Sequence, residues 1–188
     1  MKGGLPAPRR NNMLQPAKRY ESELALRFAD IMLDEAYMYA DASVYRDDYE
    51  PLRTTWESHE FVSVSNEGDV IGYISYRIQR ETSKVYSWKI LNFEKEKFSP
   101  VFGRDLMQAI VDIFTKFNMN AMNFSVVVGN PAEQMYDRRI ERMGGRVVGV
   151  YKDDVRLIDN KVYDLKMYEV MRKDFMESEL FKKWEEAK

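Results

Sequence analysis

The chain has 188 residues, 45% of them hydrophobic, and a formal net charge of −2. That length holds one domain with a substantial core, and the near-neutral balance gives no general pull toward nucleic acid or a membrane surface. There is no cysteine and one histidine, His59, which excludes disulfides, thiolate catalysis, cysteine-held zinc or iron–sulfur sites and any multi-histidine metal site.

Residues 1–19 read as a tail rich in Gly and Pro, with Lys2, Arg9, Arg10, Lys18 and Arg19 and no acid. Such a stretch is either mobile or a basic arm docked on a partner. It lacks the apolar stretch of a signal peptide, and no run of about 18 apolar residues follows. The expected location is the cytoplasm, without membrane contact.

The spacing of Leu24, Phe28, Ile31 and Glu35 predicts a helix over 21–40, with room for a short strand before it. A second short helix is predicted over 49–56. Residues 61–65 and 70–78 alternate like strands and are joined by Asn66-Glu67-Gly68-Asp69, a hairpin signal. A third strand is predicted over 84–93. From Pro100 the apolar positions Leu106, Ile110, Ile113, Phe114 and Phe117 form one helical stripe.

Residues 122–128 are a nearly continuous apolar run, as in a buried central strand. A helix over 131–143 closes on Gly144-Gly145, a C-terminal cap signal. Two further strands, 146–152 and 162–171, precede a charged helix over 173–188 in which plus and minus balance. The order is α-α-β-β-β-α-β-α-β-β. Alternation of strand and helix in the middle implies a partly parallel sheet, and hairpins at each end imply antiparallel flanks. The fold class is mixed α/β (α+β, one mixed sheet with helices).

Two junctions stand out, Ser99-Pro100 and Asn130-Pro131. Ser and Asn are preferred N-caps, and Pro fits a first helical turn, where its missing N–H costs nothing. Both predict helix N-termini near strand ends. Such ends carry free N–H groups and partial positive charge, which suit a phosphate-rich ligand.

The order of these elements resembles the GNAT superfamily of acetyl-CoA-dependent N-acetyltransferases. Val70-Ile71-Gly72-Tyr73 is similar to the opening of the family's third strand. The helix after Ser99-Pro100 takes the place of the family's pyrophosphate-binding helix. Phe124 to Ala132 resembles the fifth strand and the Asn that follows it, and Arg142 to Gly149 resembles the turn into the sixth. Leu157 to Asp164 is similar to the last hairpin of the subgroup that acetylates ribosomal-protein N-termini. GNAT-like proteins also occur in phage genomes.

The resemblance implies a domain over 20–172, flanked by the tail 1–19 and the charged helix 173–188. It implies a sheet splayed between the strands 84–93 and 122–128, with helices on both faces and acetyl-CoA in the gap. The cofactor's pyrophosphate would meet the amides of Val101, Phe102, Gly103, Arg104 and Asp105, and Asn130 would bond the cofactor. Tyr136 is the candidate acid and Glu94 the candidate base, since amine acetylation needs a proton acceptor at the amine and a donor at the leaving thiolate. The family register counted back from Gly144 puts Ile140 at the tyrosine position; counted forward from Asn130 it gives Tyr136. The cofactor loop departs from the family's pattern, because Phe98-Ser99-Pro100-Val101-Phe102-Gly103 keeps only its second glycine.

Two readings result. One is an N-acetyltransferase acting on a protein N-terminus, a lysine or a small amine. The other is a GNAT-like scaffold without catalysis, an interaction or assembly protein, in a viral particle for example, binding a protein partner through residues 1–19 and 173–188. Nucleic acid is not an expected partner, because the basic tail has no aromatic residue before Tyr20. His59, a lone histidine, reads as structural, and the sequence leaves the oligomeric state open.

Overall fold

The computed structural model describes residues 14–31, 34–40, 56–94 and 98–187. Seven strands form one sheet in the order β1-β2-β3-β4-β5-β7-β6. They are β1 (Leu14–Pro16), β2 (Ser58–Val64), β3 (Val70–Gln79), β4 (Lys84–Asn92), β5 (Ala121–Val127), β6 (Arg146–Arg156) and β7 (Val162–Met171). β4 and β5 run parallel, and every other neighbouring pair is antiparallel. The parallel pair is the one bridged by a long helix, because a parallel neighbour needs a crossover. The mixed sheet predicted from the sequence is therefore the observed one.

Helix α1 (Glu21–Ile31) covers one face. Its Leu24 and Phe28 pack with Val62, Val64, Val70 and Tyr73, and the Phe28 and Tyr73 rings meet edge to face at 5.3 Å. Helices α2 (Pro100–Thr115), α3 (Glu133–Arg142), α4 (Arg172–Glu177) and α5 (Glu179–Glu186) share the larger core on the other face. There Phe102, Leu106, Ile110, Ile113 and Phe114 of α2 meet Ile74, Tyr76 and Ile78, alternate positions of β3. Each such side chain, fully buried, is worth about 1.5–3 kcal/mol relative to exposure.

Three predicted elements are corrected. The helix expected over 21–40 ends at Ile31, and a 3-10 turn, Glu35–Tyr37, follows. The Asp34 carboxylate accepts the Ala36 N–H at 3.0 Å, and such a local bond competes with helix continuation. The helix expected from Pro131 starts at Glu133, because Asn130 closes a turn first. The helix expected over 173–188 divides at Ser178, whose extended backbone ends α4 and whose Oγ accepts the Phe181 N–H at 3.2 Å. Its apolar side chains Phe175 and Phe181 are buried. The helix expected over 49–56 falls, but for Trp56, outside the described residues.

Leu14–Pro16 is the short strand before α1, paired with Ser63, Val62 and Phe61 of β2. Among the described residues no helix is long and apolar enough to cross a membrane.

Candidate active site

β4 and β5 stay together for only two residue pairs, Lys84 with Ala121 and Val85 with Met122. Beyond those pairs each strand belongs to its own half-sheet. β4 remains on β3 as far as Asn92 opposite Gly72. β5 remains on β7 along its whole length, from Ala121 opposite Met171 to Val127 opposite Leu165. The sheet therefore opens between its third and fourth long strands.

The cause lies in β4. Between the pairs Arg77–Tyr86 and Ser75–Lys89, β4 carries one residue more than β3. At this bulge Ser87 takes the left-handed region, φ 54. A bulge bends its strand and increases the local twist, so β4 turns away from β5 just past the last shared pair.

The C-terminal ends of both strands lie at the open end. On the β4 side, Glu94 follows the strand. Its carboxylate Oε2 is buried and has no hydrogen-bond partner, while its carbonyl accepts from Asn92 Nδ2 at 2.6 Å. A buried carboxylate oxygen left without a donor is costly, and a ligand N–H at this point would satisfy it.

α2 then begins. Ser99 Oγ accepts the Val101 N–H at 3.2 Å, and Pro100 is the first helical residue. The Ser99 carbonyl accepts the Gly103 N–H at 2.9 Å. Phe102 is fully buried and lies flat against Gly72 of β3, where an added Cβ would stand 2.6 Å from the ring's Cδ2. Asp105 is also buried, and its carboxylate accepts from Ser63 Oγ at 2.5 Å. Burial pushes this carboxyl above the usual carboxylate range, and the Ser63 bond opposes the shift. The side chains of Phe102 and Asp105 thus anchor the helix to the sheet. Of the five residues expected to meet the cofactor, Arg104 alone has an exposed side chain, while Val101 and Gly103 are half-buried. Phe98 lies over this turn, 3.1 Å from where a Gly103 Cβ would be and 5.4 Å, ring to ring, from Phe102.

On the β5 side, Asn130 Oδ1 accepts the Ala132 N–H at 2.9 Å. Tyr136 lies on α3, its ring 5.9 Å from that of Phe124. Burial pushes its phenol up to about 12, so it keeps its proton throughout the neutral range. Ile140, the other candidate for the tyrosine position, is buried in the core. Glu133 and Asp137, one turn apart, accept from Lys166 Nζ of β7 at 3.1 and 2.9 Å. Asp137 also accepts from Tyr168 Oη at 2.8 Å, and Glu133 from the Gly129 N–H at 3.0 Å. These bonds set α3 and the end of β5 as one unit.

Glu94 and residues 101–105 thus stand on one bank of the opening, and Asn130 and Tyr136 on the other. His59 is placed elsewhere, in an aromatic cluster 4.7 Å from Phe117 and 5.2 Å from Tyr76. Burial lowers its pKa, as expected of a structural histidine.

Three features escape the sequence reading. The segment after α1 reaches both half-sheets: Tyr37 Oη donates to the Asn92 carbonyl of β4 at 2.8 Å, and Tyr39 stands edge-on to Tyr163 of β7, 6.0 Å ring to ring. Asn123, the first residue of β5 beyond the shared pairs, holds a buried Oδ1 without a partner; its one signal was a polar residue within an apolar run. Ser87 gave no signal, because serine has no marked preference for positive φ.

No protein-family profile matches the chain, and no curated protein sequence does. Solved structures do. A chimera of the spermidine N-acetyltransferase SpeG from Vibrio cholerae and hSSAT superposes with a TM-score of 0.67 at 18% identity, over 87% of this chain and 96% of that one. A probable acetyltransferase gives 0.62 at 16% identity, over 87% and 92%. A dodecameric spermidine N-acetyltransferase from Vibrio cholerae gives 0.56 at 17% identity, over 64% and 68%. The likeness is one of fold: the chain has the mixed α/β architecture of GNAT-type acetyltransferases.

Proposed function

We propose that the chain is a cytoplasmic N-acetyltransferase that moves an acetyl group from acetyl-CoA to an amine, whether a protein N-terminus, a lysine or a small amine. The observation that carries this reading is the opening between β4 and β5, with the start of α2 and the partnerless Glu94 oxygen at one bank. The residues suit the cofactor through the helix terminus as a whole rather than through a nest of glycines. The partial positive charge of α2's first turn, with Arg104 beside it, would attract a pyrophosphate, and Asn130 stands in the turn after β5. The small-amine class gains support from those neighbours that are spermidine N-acetyltransferases.

Bound acetyl-CoA supplies an activated acetyl group on sulfur. The Glu94 carboxylate takes the proton of the amine nitrogen as nitrogen bonds to the acetyl carbon. The Tyr136 hydroxyl would hydrogen-bond the departing sulfur, and full transfer of its proton would leave a phenolate. With a phenol at about 12 and an ordinary thiol near 8.5, that transfer is uphill. Its main contribution is therefore stabilisation of charge as it develops on sulfur. Glu94 and Tyr136 return to their starting states by proton exchange with water.

Calorimetry with acetyl-CoA tests the reading, and heat of binding at micromolar cofactor is expected. Tyr136→Phe and Glu94→Gln should keep that binding and lose roughly 10²–10⁴ in turnover. No heat at high micromolar acetyl-CoA would instead support the scaffold reading, which one observation favours: Phe98 packs over the turn where a pyrophosphate would rest.

A further inference from the structure

Within the acetyl-transfer reading, on which this rests, we infer that the seat at the start of α2 grips one phosphate group of the donor rather than two. The donor is then recognised by its phosphopantetheine arm, and its nucleotide adds no affinity. The seat belongs to a cleft marked independently by the parting of β4 from β5 and by the partnerless Glu94 oxygen.

A helix leaves its first N–H groups without partners inside the helix, and in α2 nearly all of them are already removed. Pro100 has no N–H. The Val101 N–H is taken by Ser99 Oγ at 3.2 Å, and the Gly103 N–H by the Ser99 carbonyl at 2.9 Å. From Arg104 onward the helix supplies carbonyls one turn back. Phe102 is left, and its N–H has no acceptor among the described residues. Phe102 is also fully buried, so water does not satisfy that N–H. A buried backbone N–H without a partner is rare and costly.

One free amide serves one phosphate. Holding two takes several amides converging from a glycine-rich loop, because side chains keep the backbone at a distance. Here Val101 and Phe102 occupy that stretch. Phe98 lies over the same turn, 3.1 Å from where a Gly103 Cβ would be. Its ring is 44% exposed, and an exposed side chain changes rotamer readily, so it can swing outward and uncover the Phe102 N–H.

Arg104 is the second group that asks for an anion. Its side chain is exposed and forms no ion pair among the described residues. The first turn holds no acid, and a cation near a helix's amino end opposes the macrodipole. Nothing in the packing of α2 explains Arg104, whereas a phosphate at this turn answers both it and the Phe102 N–H. Two sources present such an arm: CoA, and the same arm on the serine of a carrier protein.

Calorimetry on the full chain with acetyl-CoA, S-acetyl-4′-phosphopantetheine and S-acetyl-pantetheine is the test. The first two should bind within about threefold of each other, and loss of the phosphate should weaken binding roughly tenfold or more. Arg104→Gln should shrink that phosphate-dependent difference and leave S-acetyl-pantetheine unchanged. Phe98→Ala, which leaves the Phe102 N–H uncovered, should tighten both phosphate-bearing donors together. An acetylated carrier protein that competes with acetyl-CoA identifies the carrier as a source, and one that does not leaves CoA; the one-phosphate seat holds in either case. Acetyl-CoA that binds tenfold tighter than the phosphopantetheine thioester overturns the inference and leaves the acetyl-transfer reading standing. So does a phosphate that makes no difference, or a Phe98→Ala protein in which acetyl-CoA alone gains. If none of the donors binds, both fall.

Discussion

The two helices that flank the opening begin from similar sequence and are held by different physics. α2 is capped where Ser99-Pro100 indicates, and is seated by shape, with Phe102 flat on Gly72. At Asn130-Pro131 the Asn side chain closes a turn, and α3 starts two residues later with no side-chain cap. Its seat is charge, Glu133 and Asp137 on Lys166. A cap motif fixes a local turn, whereas a tertiary contact decides where the helix begins.

Breaking the shape seat should have the larger effect. Gly72→Ala drives a methyl into the Phe102 ring, which has Gly72 beneath it and the α2 core around it. Overpacking of this kind costs about 1–3 kcal/mol. Thermal unfolding should fall by roughly 2–4 °C per kcal/mol for a chain of this size. Acetyl-CoA binding should weaken as well, because the start of α2 must shift. An unchanged melting point would mean that the ring moves freely and that shape does not hold the helix.

The charge seat is partly wet: Lys166 is 17% exposed, Glu133 21% and Asp137 39%. Lys166→Met leaves two carboxylates without their shared cation. A loss of about 1–2 kcal/mol is expected, discounted for solvent. α3 should exchange its amides faster while α2 does not. Equal changes in both helices would erase the distinction between the seats.

The caps give a smaller contrast. Ser99→Ala removes a true N-cap and should cost about 1 kcal/mol. Asn130→Ala removes only a turn bond and should cost less, since Glu133 still holds the Gly129 N–H. Parallel chemical denaturation of the two variants measures the difference.

The same contrast governs what was legible. Features specified by neighbouring residues could be read: the Ser99 cap, the hairpin at 66–69, and the end of α3, where the Gly145 N–H reaches the Ile140 carbonyl at 2.9 Å and Gly144 takes φ 71. Gly144 is doubly required, because a Cβ there would stand 2.7 Å from the Asp174 carbonyl oxygen. The opening was expected only through the family resemblance. Its cause, the bulge at Ser87, has no local signature. Glu94 was placed by the same resemblance, and burial of its oxygen is a property of the assembled fold. Lys166 is one charge within a strand, and only the assembled fold brings Glu133 and Asp137 of α3 to it. The helical spacing on to Glu35 places Tyr37 and Tyr39 at a helix end, whereas the Asp34 carboxylate caps a separate 3-10 turn there.

The smallest effect is the most diagnostic, because the two seats should respond to pH with opposite sign. Bonds from Lys166 and Tyr168 hold the Asp137 carboxyl below its ordinary value. Its contribution is present above the unfolded value near 3.9 and is lost as pH falls through the folded value. Asp105 is the reverse case, since burial holds its carboxyl above the ordinary value. The folded state then binds the proton more tightly than the unfolded chain, so stability is lost as pH rises from about 3.9 through the raised folded value. Acid should loosen the Lys166 contact beneath α3 while firming the α2 anchor. Asp137→Asn should flatten the acid limb of the stability curve. Asp105→Asn, which keeps an acceptor for Ser63, should remove the loss at rising pH and leave the protein slightly more stable at neutrality. If both substitutions change stability with the same pH dependence, the two carboxylates share one environment and the division into a shape seat and a charge seat is wrong.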